Sequence, residues 1–186
     1  MTIFAVIPAR GGSKGIFKKN LALISQIPLI AYSIEAAKNS QLVDRVIVSS
    51  DDDEIIKVAN KYGAETPFKR PKEISEDKSK MIDVLKHVVN FLHYSQESIE
   101  AIVLLQPTSP LRTGQNIDEA VHKFQFSKAS SVVSVTEVPH QYNPYSLLSL
   151  NQNGELNSIS DKKFNRRQDK PKFYARNGPA ILVVSP

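Results

Sequence analysis

The chain has 186 residues, of which 41% are hydrophobic, a composition typical of a globular protein with a real core. It contains no cysteine, which excludes disulfides, thiol catalysis and thiolate zinc sites. The formal net charge is +5. No stretch of the sequence is as long as a membrane span, and no basic region precedes the first apolar run. We therefore expect a cytoplasmic protein with a single domain over residues 1–186 and no membrane contact.

The first predicted element is a buried strand that opens into a basic glycine loop. Residues 4–7 are apolar β-formers, and Pro8 ends the run because proline cannot donate to a sheet ladder. Three glycines follow, and we expect them to take positive φ angles so that backbone N–H groups cradle an anion; they are Gly11, Gly12 and Gly15. Cationic side chains accompany them, namely Arg10, Lys14, Lys18 and Lys19. A loop of this kind predicts a polyphosphate site.

The common phosphate fingerprints do not fit residues 10–15. The loop has neither the Gly-x-x-x-x-Gly-Lys-Ser/Thr of a Walker loop nor the Gly-x-Gly-x-x-Gly of a dinucleotide site. Residues 11–15 match Gly-x-Ser-x-Gly, the nucleophile elbow of α/β-hydrolases. An elbow, however, requires an oxyanion loop from an earlier strand, and this loop follows the first strand. We therefore expect neither a P-loop NTPase, nor a dehydrogenase, nor a hydrolase.

The remaining elements alternate between strands and helices. The predicted strands span residues 45–49, 101–105, 131–138 and 180–184. The predicted helices span residues 28–39, 52–62, 81–94 and 116–126, and Ser50-Asp51-Asp52 supplies the N-cap and the acidic first turn of the second. Such alternation predicts a parallel sheet with helices on both faces and the strand ends, here residues 10–15 and Ser50-Asp51, at one crevice. Within 147–159, Asn153-Gly154 predicts a hairpin with a type I′ turn.

The net charge is concentrated in one segment. Residues 161–176 contain seven lysines and arginines against two aspartates, which accounts for the whole imbalance. One basic segment favours binding of a small anion over nucleic acid, although a solvated charged loop remains the alternative. The four histidines have no metal-ligand spacing, so no metal site is predicted within the chain.

Several segments carry a recognisable pattern. Residues 7–20 fill Ile-Pro-Ala-Arg-x-x-Ser-Lys-Gly-x-x-x-Lys-Asn, and residues 105–113 read Leu-Gln-Pro-Thr-Ser-Pro-Leu-Arg-Thr. Residues 70–77 contain Arg-Pro-x-Glu and a later aspartate, and residues 166–178 contain Arg-Arg-Gln, an aromatic pair and Asn-Gly. In these respects the chain resembles the acylneuraminate cytidylyltransferases (CMP-sialic acid synthetases). Its Ala-Arg-Asn-Gly-Pro-Ala-Ile-Leu run resembles the bacterial legionaminic acid branch. Lys78 and Lys80 depart from the small residues usual in the family.

The resemblance implies an α/β, three-layer Rossmann-like nucleotidyltransferase fold with a mostly parallel sheet. It also implies a β-hairpin dimerisation arm at 140–162 and hence a homodimer. Family members use Mg²⁺ bound by aspartates that would lie beyond Pro186, so we expect these 186 residues to lack the metal-binding strand and closing helix.

The implied activity is transfer of CMP from CTP to the anomeric hydroxyl of a nonulosonic acid, with release of pyrophosphate, for cell-surface glycan such as lipopolysaccharide or capsule. The implied catalytic residues are Arg10 and Lys19. The implied nucleotide-binding residues are Arg10, Gly11, Gly12, Ser13, Lys14, Asn20, Arg70 and Asp77. The implied sugar-binding residues are Gln106, Arg112, Arg166, Tyr174 and Asn177.

The roles on the sugar side have a physical basis in part. Two prolines stiffen the segment after residue 105 and would hold the Gln106 amide towards the crevice, where it can bond to sugar hydroxyls. An arginine such as Arg166 can clamp a carboxylate through two bonds. For Arg112 the resemblance alone implies a role, which is to support either this loop or the anion. The sugar itself (sialic, legionaminic or pseudaminic acid) stays open. The alternative function is a truncated, catalytically weak cytidine-nucleotide-binding module.

Overall fold

The computed structural model of the protein describes residues 1–13, 15–176 and 178–186. The chain forms two compact units, one of Met1–Ser134 with Gly178–Pro186 and one within residues 135–177. The strands are β1 (Thr2–Pro8), β2 (Leu23–Ile24), β3 (Ile27–Pro28), β4 (Arg45–Ser49), β5 (Ile99–Leu104), β6 (Ser131–Val133), β7 (Thr136–Glu137), β8 (Leu148–Leu150), β9 (Leu156–Ser158), β10 (Tyr174–Ala175) and β11 (Leu182–Val184). The α-helices are α1 (Leu29–Lys38), α2 (Asp53–Lys61), α3 (Met81–Tyr94) and α4 (Gly114–Phe126). Short 3₁₀ helices lie at Lys19–Leu21, Lys72–Ile74, His140–Tyr142, Pro144–Ser146 and Arg167–Asp169.

The first unit is built on a five-stranded sheet in the order β4-β1-β5-β11-β6. Strand β1 runs parallel to both neighbours, with Ala5 opposite Val46 on β4 and opposite Val103 on β5. Strand β11 is antiparallel to β5 and to β6. The mostly parallel sheet is therefore confirmed, and the carboxyl ends of β4, β1 and β5 lie side by side at one edge.

Alternate residues of β1 point into two separate cores, which makes the first unit three layers deep. Ala5 and Ile7 join the core with α1, α2 and α4, whereas Phe4 and Val6 join the core with α3. Because successive side chains of a strand point to opposite faces, an unbroken apolar run is what a strand with helices on both sides requires. The predicted α/β layers are confirmed.

Helix starts follow the sequence signals. The Asp52 carboxylate accepts hydrogen bonds from the amides of Glu54 and Ile55 at 2.8 and 3.0 Å and so caps α2, as predicted. Thr113 and Asn116 form a reciprocal capping box that begins α4 two residues before the predicted start. None of the described helices combines the length and the hydropathy needed to cross a bilayer.

The predicted continuous strand at 131–138 is wrong, because the chain breaks it in two. β6 belongs to the large sheet, whereas β7 pairs with β10 in a separate two-stranded sheet of the second unit. The break follows from Ser134, whose hydroxyl accepts a hydrogen bond from the Ile181 amide at 3.0 Å. A side chain that takes a ladder amide ends regular pairing at that point.

The predicted hairpin is present, but its turn is not type I′. Leu150 pairs with Leu156, so five residues form the connection. Gly154 has a φ of +81°, whereas Asn153 is not among the described residues with positive φ, and a type I′ turn needs both. Instead the Asn151 side chain accepts from the amides of Asn153 and Glu155. The hairpin lies within the predicted arm at 140–162; its role in dimerisation, like the single-domain assignment of 1–186, stays a prediction.

Candidate functional site

A cavity of about 530 Å³ lies at the edge of the sheet where β1 and β5 end. The predicted site residues that line it are Arg10, Ser13, Lys19, Asn20, Arg70, Asp77 and Gln106. A neighbouring cavity of about 640 Å³ is lined in part by Gly12, again with Arg10, Ser13 and Asp77. Lys14 lies outside the described residues. The structure therefore brings together most residues of the predicted nucleotide site and one residue predicted for the sugar.

Two aspartates that follow β4 anchor the glycine loop. The Gly11 amide donates to Asp51 Oδ1 at 3.1 Å, and a β-carbon on Gly11 would stand 2.5 Å from Asp52 Oδ2. Gly11 and Gly12 are not among the described residues with positive φ, so the predicted reason for these two glycines is wrong. Close approach of Asp52, rather than a left-handed backbone, is what requires a glycine at residue 11.

The cationic side chains of the loop have different partners. Arg10 Nη2 lies 2.5 Å from Asp77 Oδ1, and both side chains are about one-third exposed. Lys18 instead binds the exposed Glu54 at 2.7 Å and does not line the cavity, so its predicted contribution to the phosphate site is wrong. Lys19 begins a 3₁₀ turn and lines the cavity. The positive charge at the cavity therefore comes from Arg10, Lys19 and Arg70 among the described residues.

The buried side chain of Asn20 stabilises the loop that follows β1. Its side chain is buried, and Nδ2 donates to the Arg10 carbonyl oxygen at 3.0 Å. The amide group therefore fixes the backbone that carries the Arg10 guanidinium. The predicted nucleotide role of Asn20 is compatible with this bond, since the residue also lines the cavity.

Arg70 is a buried cation with unused hydrogen-bond donors. Its side chain is 4% exposed, its Nη2 lies 3.9 Å from Asp51 Oδ1, and neither Nε nor Nη2 has a hydrogen-bond partner in the structure. Burial lowers the pKa of Arg70; the charge of Asp51 opposes this shift, and the charge of Arg10 adds to it by a smaller amount. A buried guanidinium with free N–H groups beside a cavity is arranged to bind an acceptor that enters the cavity.

The predicted sugar residues are divided between the two units. Gln106 lines the cavity of the first unit, together with Pro107 and Thr108. Arg112 is buried in the same unit and faces a different cavity, of about 660 Å³. Arg166 and Tyr174 belong to the second unit, where Arg166 Nε lies 3.1 Å from Asp169 and Tyr174 is exposed on β10. Asn177 lies outside the described residues. The sugar roles of these residues remain predictions.

The carboxylates near the cavity do not form a magnesium site by themselves. Among residues 1–13, 15–176 and 178–186, no group of three or more His, Asp or Glu side chains is placed to hold a metal ion. Asp77 is bound to Arg10, and Asp51 accepts from the Gly11 amide and faces Arg70. The described side chains therefore do not form a complete Mg²⁺ site by themselves, and we derive no chemical step through the ion.

Sequence reasoning missed two kinds of site residue. Ser50-Asp51 was expected at the crevice as a strand end, and Asp51 does lie beside the loop after β1. Asp52 was predicted only as part of a helix start, although it too follows a strand parallel to β1 and lies beside that loop. Ile16, Met81 and Val84 give the cavity an apolar wall. No local signal separates these three residues from ordinary core or surface residues, because their role depends on the packing of α3 beneath the loop.

A mostly parallel sheet whose first strand opens into a basic loop at a cavity with three cationic side chains is suited to binding the phosphates of a nucleotide. The chain belongs to the cytidylyltransferase family, whose model matches residues 4–183. It is 37% identical over 186 residues to the pseudaminic acid cytidylyltransferase of Campylobacter jejuni serotype O:2. This alignment covers 100% of this chain and 79% of that protein. It is 36% identical over 181 residues to the CMP-N,N'-diacetyllegionaminic acid synthase of the same serotype. That alignment covers 97% of this chain and 76% of that protein.

The fold has a counterpart among solved structures. A CMP:2-keto-3-deoxy-manno-octonic acid synthetase complexed with CTP matches with a TM-score of 0.71 over 100% of this chain and 74% of that chain. The two sequences are 19% identical, so this likeness establishes the fold alone. Together with the sequence relatives, it confirms the predicted family and the predicted fold class.

Proposed function

We propose that the protein transfers CMP from CTP to the anomeric hydroxyl of a nonulosonic acid and releases pyrophosphate. The hydroxyl oxygen forms a bond to the α-phosphorus as the bond from that phosphorus to the pyrophosphate oxygen breaks, and the hydroxyl proton is lost. The observation that carries the proposal is the cavity that gathers the cations Arg10, Lys19 and Arg70 together with the amide of Gln106. The relatives named for pseudaminic and legionaminic acids support this substrate class.

The cations of the cavity suit a triphosphate, because negative charge builds up on its pyrophosphate group as that group leaves. Arg10 and Lys19 stabilise the charge that develops on the departing pyrophosphate, which is electrostatic catalysis by positioned donors. The triphosphate can share the Arg10 guanidinium with Asp77, because a guanidinium has five N–H donors. Ser13 and the amides of the loop position the phosphates, and the free N–H groups of Arg70 hold the nucleotide.

The sugar side of the cavity is provided by Gln106. Its side-chain amide has both a donor and an acceptor for sugar hydroxyls, and Pro107 follows it directly. Arg166, Tyr174 and Asn177 are proposed as further sugar contacts on the basis of the family resemblance. We also propose that turnover requires Mg²⁺, on the same basis, and that the protein acts as a homodimer through residues 140–162.

The deciding experiment measures pyrophosphate release from CTP with sialic, legionaminic and pseudaminic acid in turn, with and without Mg²⁺. Lys19→Ala should lower kcat/KM by about 10²-fold, the scale of one lost transition-state donor. The matched control is Lys57→Ala, which removes the same charge from an exposed position on α2 and should leave kcat/KM unchanged. Turnover with none of the three sugars would reject the proposed reaction.

A second function, cytidine-nucleotide binding without turnover, is favoured by one observation. The described nucleotide residues all lie in the first unit, whereas Arg166 and Tyr174 lie in the second. CTP that raises the Tm while no sugar yields pyrophosphate would support this binding function. ATP and UTP serve as controls for the selectivity of the base.

A further inference from the structure

Arg112 is a cation buried inside the first unit, 7% exposed, directly before the Thr113 cap of α4. Such burial is costly for a charge unless strong bonds compensate for it. Within the described residues Arg112 forms no ion pair, and its hydrogen bonds go to neutral groups. Burial lowers the pKa of Arg112 to about 10. The guanidinium is therefore held at this place by its geometry rather than by an opposite charge.

The guanidinium of Arg112 connects three segments that are far apart in sequence. Nη1 donates to the carbonyl oxygen of Gln106 at 3.3 Å and also to that of Ala180. Nη2 donates to the hydroxyl of Ser33 on α1 at 2.6 Å. The Ser33 hydroxyl in turn lies 3.5 Å from the Gln106 carbonyl oxygen. One side chain thus ties α1 to the segment after β5 and to the segment before β11.

Two of these segments meet at the candidate site. The side chain of Gln106 lines the nucleotide cavity, and its Oε1 lies 3.7 Å from the place of a β-carbon on Gly178. Gly178 is two residues before Ala180, which Arg112 holds through the carbonyl oxygen. The position of the Gln106 amide therefore depends on Arg112 twice, through its own backbone and through the segment that packs against it.

We propose that Arg112 is a positioning residue that sets the Gln106 amide and the 178–180 segment for the sugar. It acts through their backbones and does not touch the substrate. The guanidinium makes these bonds from two nitrogens in a fixed planar fork, whereas the donors of lysine all lie on one nitrogen, so lysine cannot reproduce the arrangement. This inference rests on the proposed function in one respect, the contact between Gln106 and the sugar.

The test compares Arg112→Met and Arg112→Lys with Val121→Ala, a matched control. Val121 is fully buried on the same helix, α4, and its truncation destabilises the core without removing any of these bonds. Hydrogen exchange is measured in peptides that cover residues 105–109 and 178–182. Both should exchange at least about ten-fold faster in Arg112→Met, the scale of lost charge-assisted hydrogen bonds, and at the wild-type rate in Val121→Ala.

Kinetics supply the second readout. In Arg112→Met and in Arg112→Lys, the KM for the sugar should rise at least about ten-fold while the KM for CTP stays within about two-fold. Rescue by lysine would overturn the proposal in favour of a direct contact between the charge and the sugar's anion. Equal changes in both KM values, or equal exchange in Arg112→Met and Val121→Ala, would reduce Arg112 to a general stabilising residue.

Failure of the proposed function, or of the Arg112 variants to fold, can be distinguished from failure of the positioning role. If the wild-type protein yields no pyrophosphate with any sugar, the proposed function fails, but the exchange data still decide whether Arg112 positions the two segments. If the Arg112 variants do not fold, Ser33→Ala removes one partner of the same guanidinium and leaves both carbonyl bonds. Because the Ser33 hydroxyl also contacts the Gln106 carbonyl oxygen directly, the readout for this variant is residues 178–182, which Arg112 holds through Ala180. They should exchange faster by less than about ten-fold, and no change there would contradict the proposal.

Discussion

The carboxylate of Asp52 lies against the α-carbon of Gly11, so closely that a β-carbon on residue 11 would stand 2.5 Å from Oδ2. Asp52 cannot easily withdraw, because its other oxygen, Oδ1, accepts the first amides of α2. The adjacent Asp51 accepts the Gly11 amide. The loop after β1 is thus shaped by the residues that follow β4.

Gly11→Ala should therefore weaken CTP binding by about ten-fold or more. The added methyl group must push the loop away from Asp52 and so displace the cations that follow β1, and a ten-fold change corresponds to about 1.4 kcal/mol. Titration calorimetry with CTP measures the effect. Gly12→Ala is the control, because nothing lies within 4 Å of its β-carbon position. Equal losses in the two variants would contradict the importance of the contact with Asp52.

Arg70→Met should separate binding from stability. CTP affinity should fall by about 10- to 100-fold, because charge-assisted bonds to the nucleotide are lost. The Tm without ligand should not fall, because the variant removes a buried charge whose Nε and Nη2 have no hydrogen-bond partner. Calorimetry and thermal unfolding give the two values.

The control for Arg70 is Arg45→Met. Arg45 binds Glu65 at 2.6 Å and also binds Glu97, and it does not line the cavity. This variant should lower the Tm and leave CTP affinity unchanged. A large loss of Tm in Arg70→Met would show that its guanidinium is structural.

Leu150→Lys tests the proposed dimerisation arm. Leu150 is 69% exposed and lies opposite Leu156 in the hairpin. Leu156 is also exposed, so the hairpin presents two apolar side chains to solvent within the second unit. Sedimentation equilibrium should find a dimer for the wild-type protein and a monomer for Leu150→Lys, because a charge in an apolar interface is costly. Ser149→Lys adds the same charge to the other face of the strand and should remain dimeric. A monomeric wild-type protein would reject the proposal that residues 140–162 form a dimerisation arm.

Glu65→Gln should have a pH-dependent effect on stability. Hydrogen bonds from Arg45 lower the pKa of Glu65 below its ordinary value of 4.5. Because the folded-state pKa is the lower one, the stabilisation is complete above the ordinary value and is lost as pH falls through the folded value. The pair is partly exposed, so we expect less than about 1 kcal/mol near neutral pH.

Urea unfolding at about pH 7 and about pH 3 measures this difference. The free energy of unfolding of the wild type should exceed that of Glu65→Gln at the higher pH, and the two should converge at the lower one. Glu35→Gln serves as the control, since Glu35 is exposed on α1 and forms no ion pair within the described residues. A difference that persists in acid would exclude the ion pair as its cause.

Sequence patterns within one segment predicted the strands and helices whose formation depends on that segment alone. Apolar runs and the Asp52 cap were sufficient for β1, β4 and α2, and alternation was sufficient for the parallel part of the sheet. The strand at 131–138 was predicted wrongly because its break depends on Ser134 and Ile181, which are 47 residues apart. The turn at Asn153-Gly154 was predicted wrongly because the Asn151 side chain competes for the same amides.

The candidate site was predictable to the extent that its residues follow strand ends. Arg10 and Gln106, which follow β1 and β5, lie together as expected, whereas Arg70 follows α2 and was expected there only from the family resemblance. The reason for Gly11 was not predictable, because φ and the proximity of Asp52 are properties of the folded backbone. The bonds of Arg112 were equally hidden, since no spacing in the sequence relates residue 112 to Ser33 or to Ala180.

The side-by-side strand ends have a consequence for how this protein diversifies. The phosphate loop follows β1, its two anchoring aspartates follow β4, and Gln106 follows β5, so each wall of the cavity is encoded in its own stretch of gene. Substitutions near residue 106 therefore change the part of the cavity after β5 and leave the loop after β1 and its two aspartates as they are. These parts of the site can vary in sequence independently of one another.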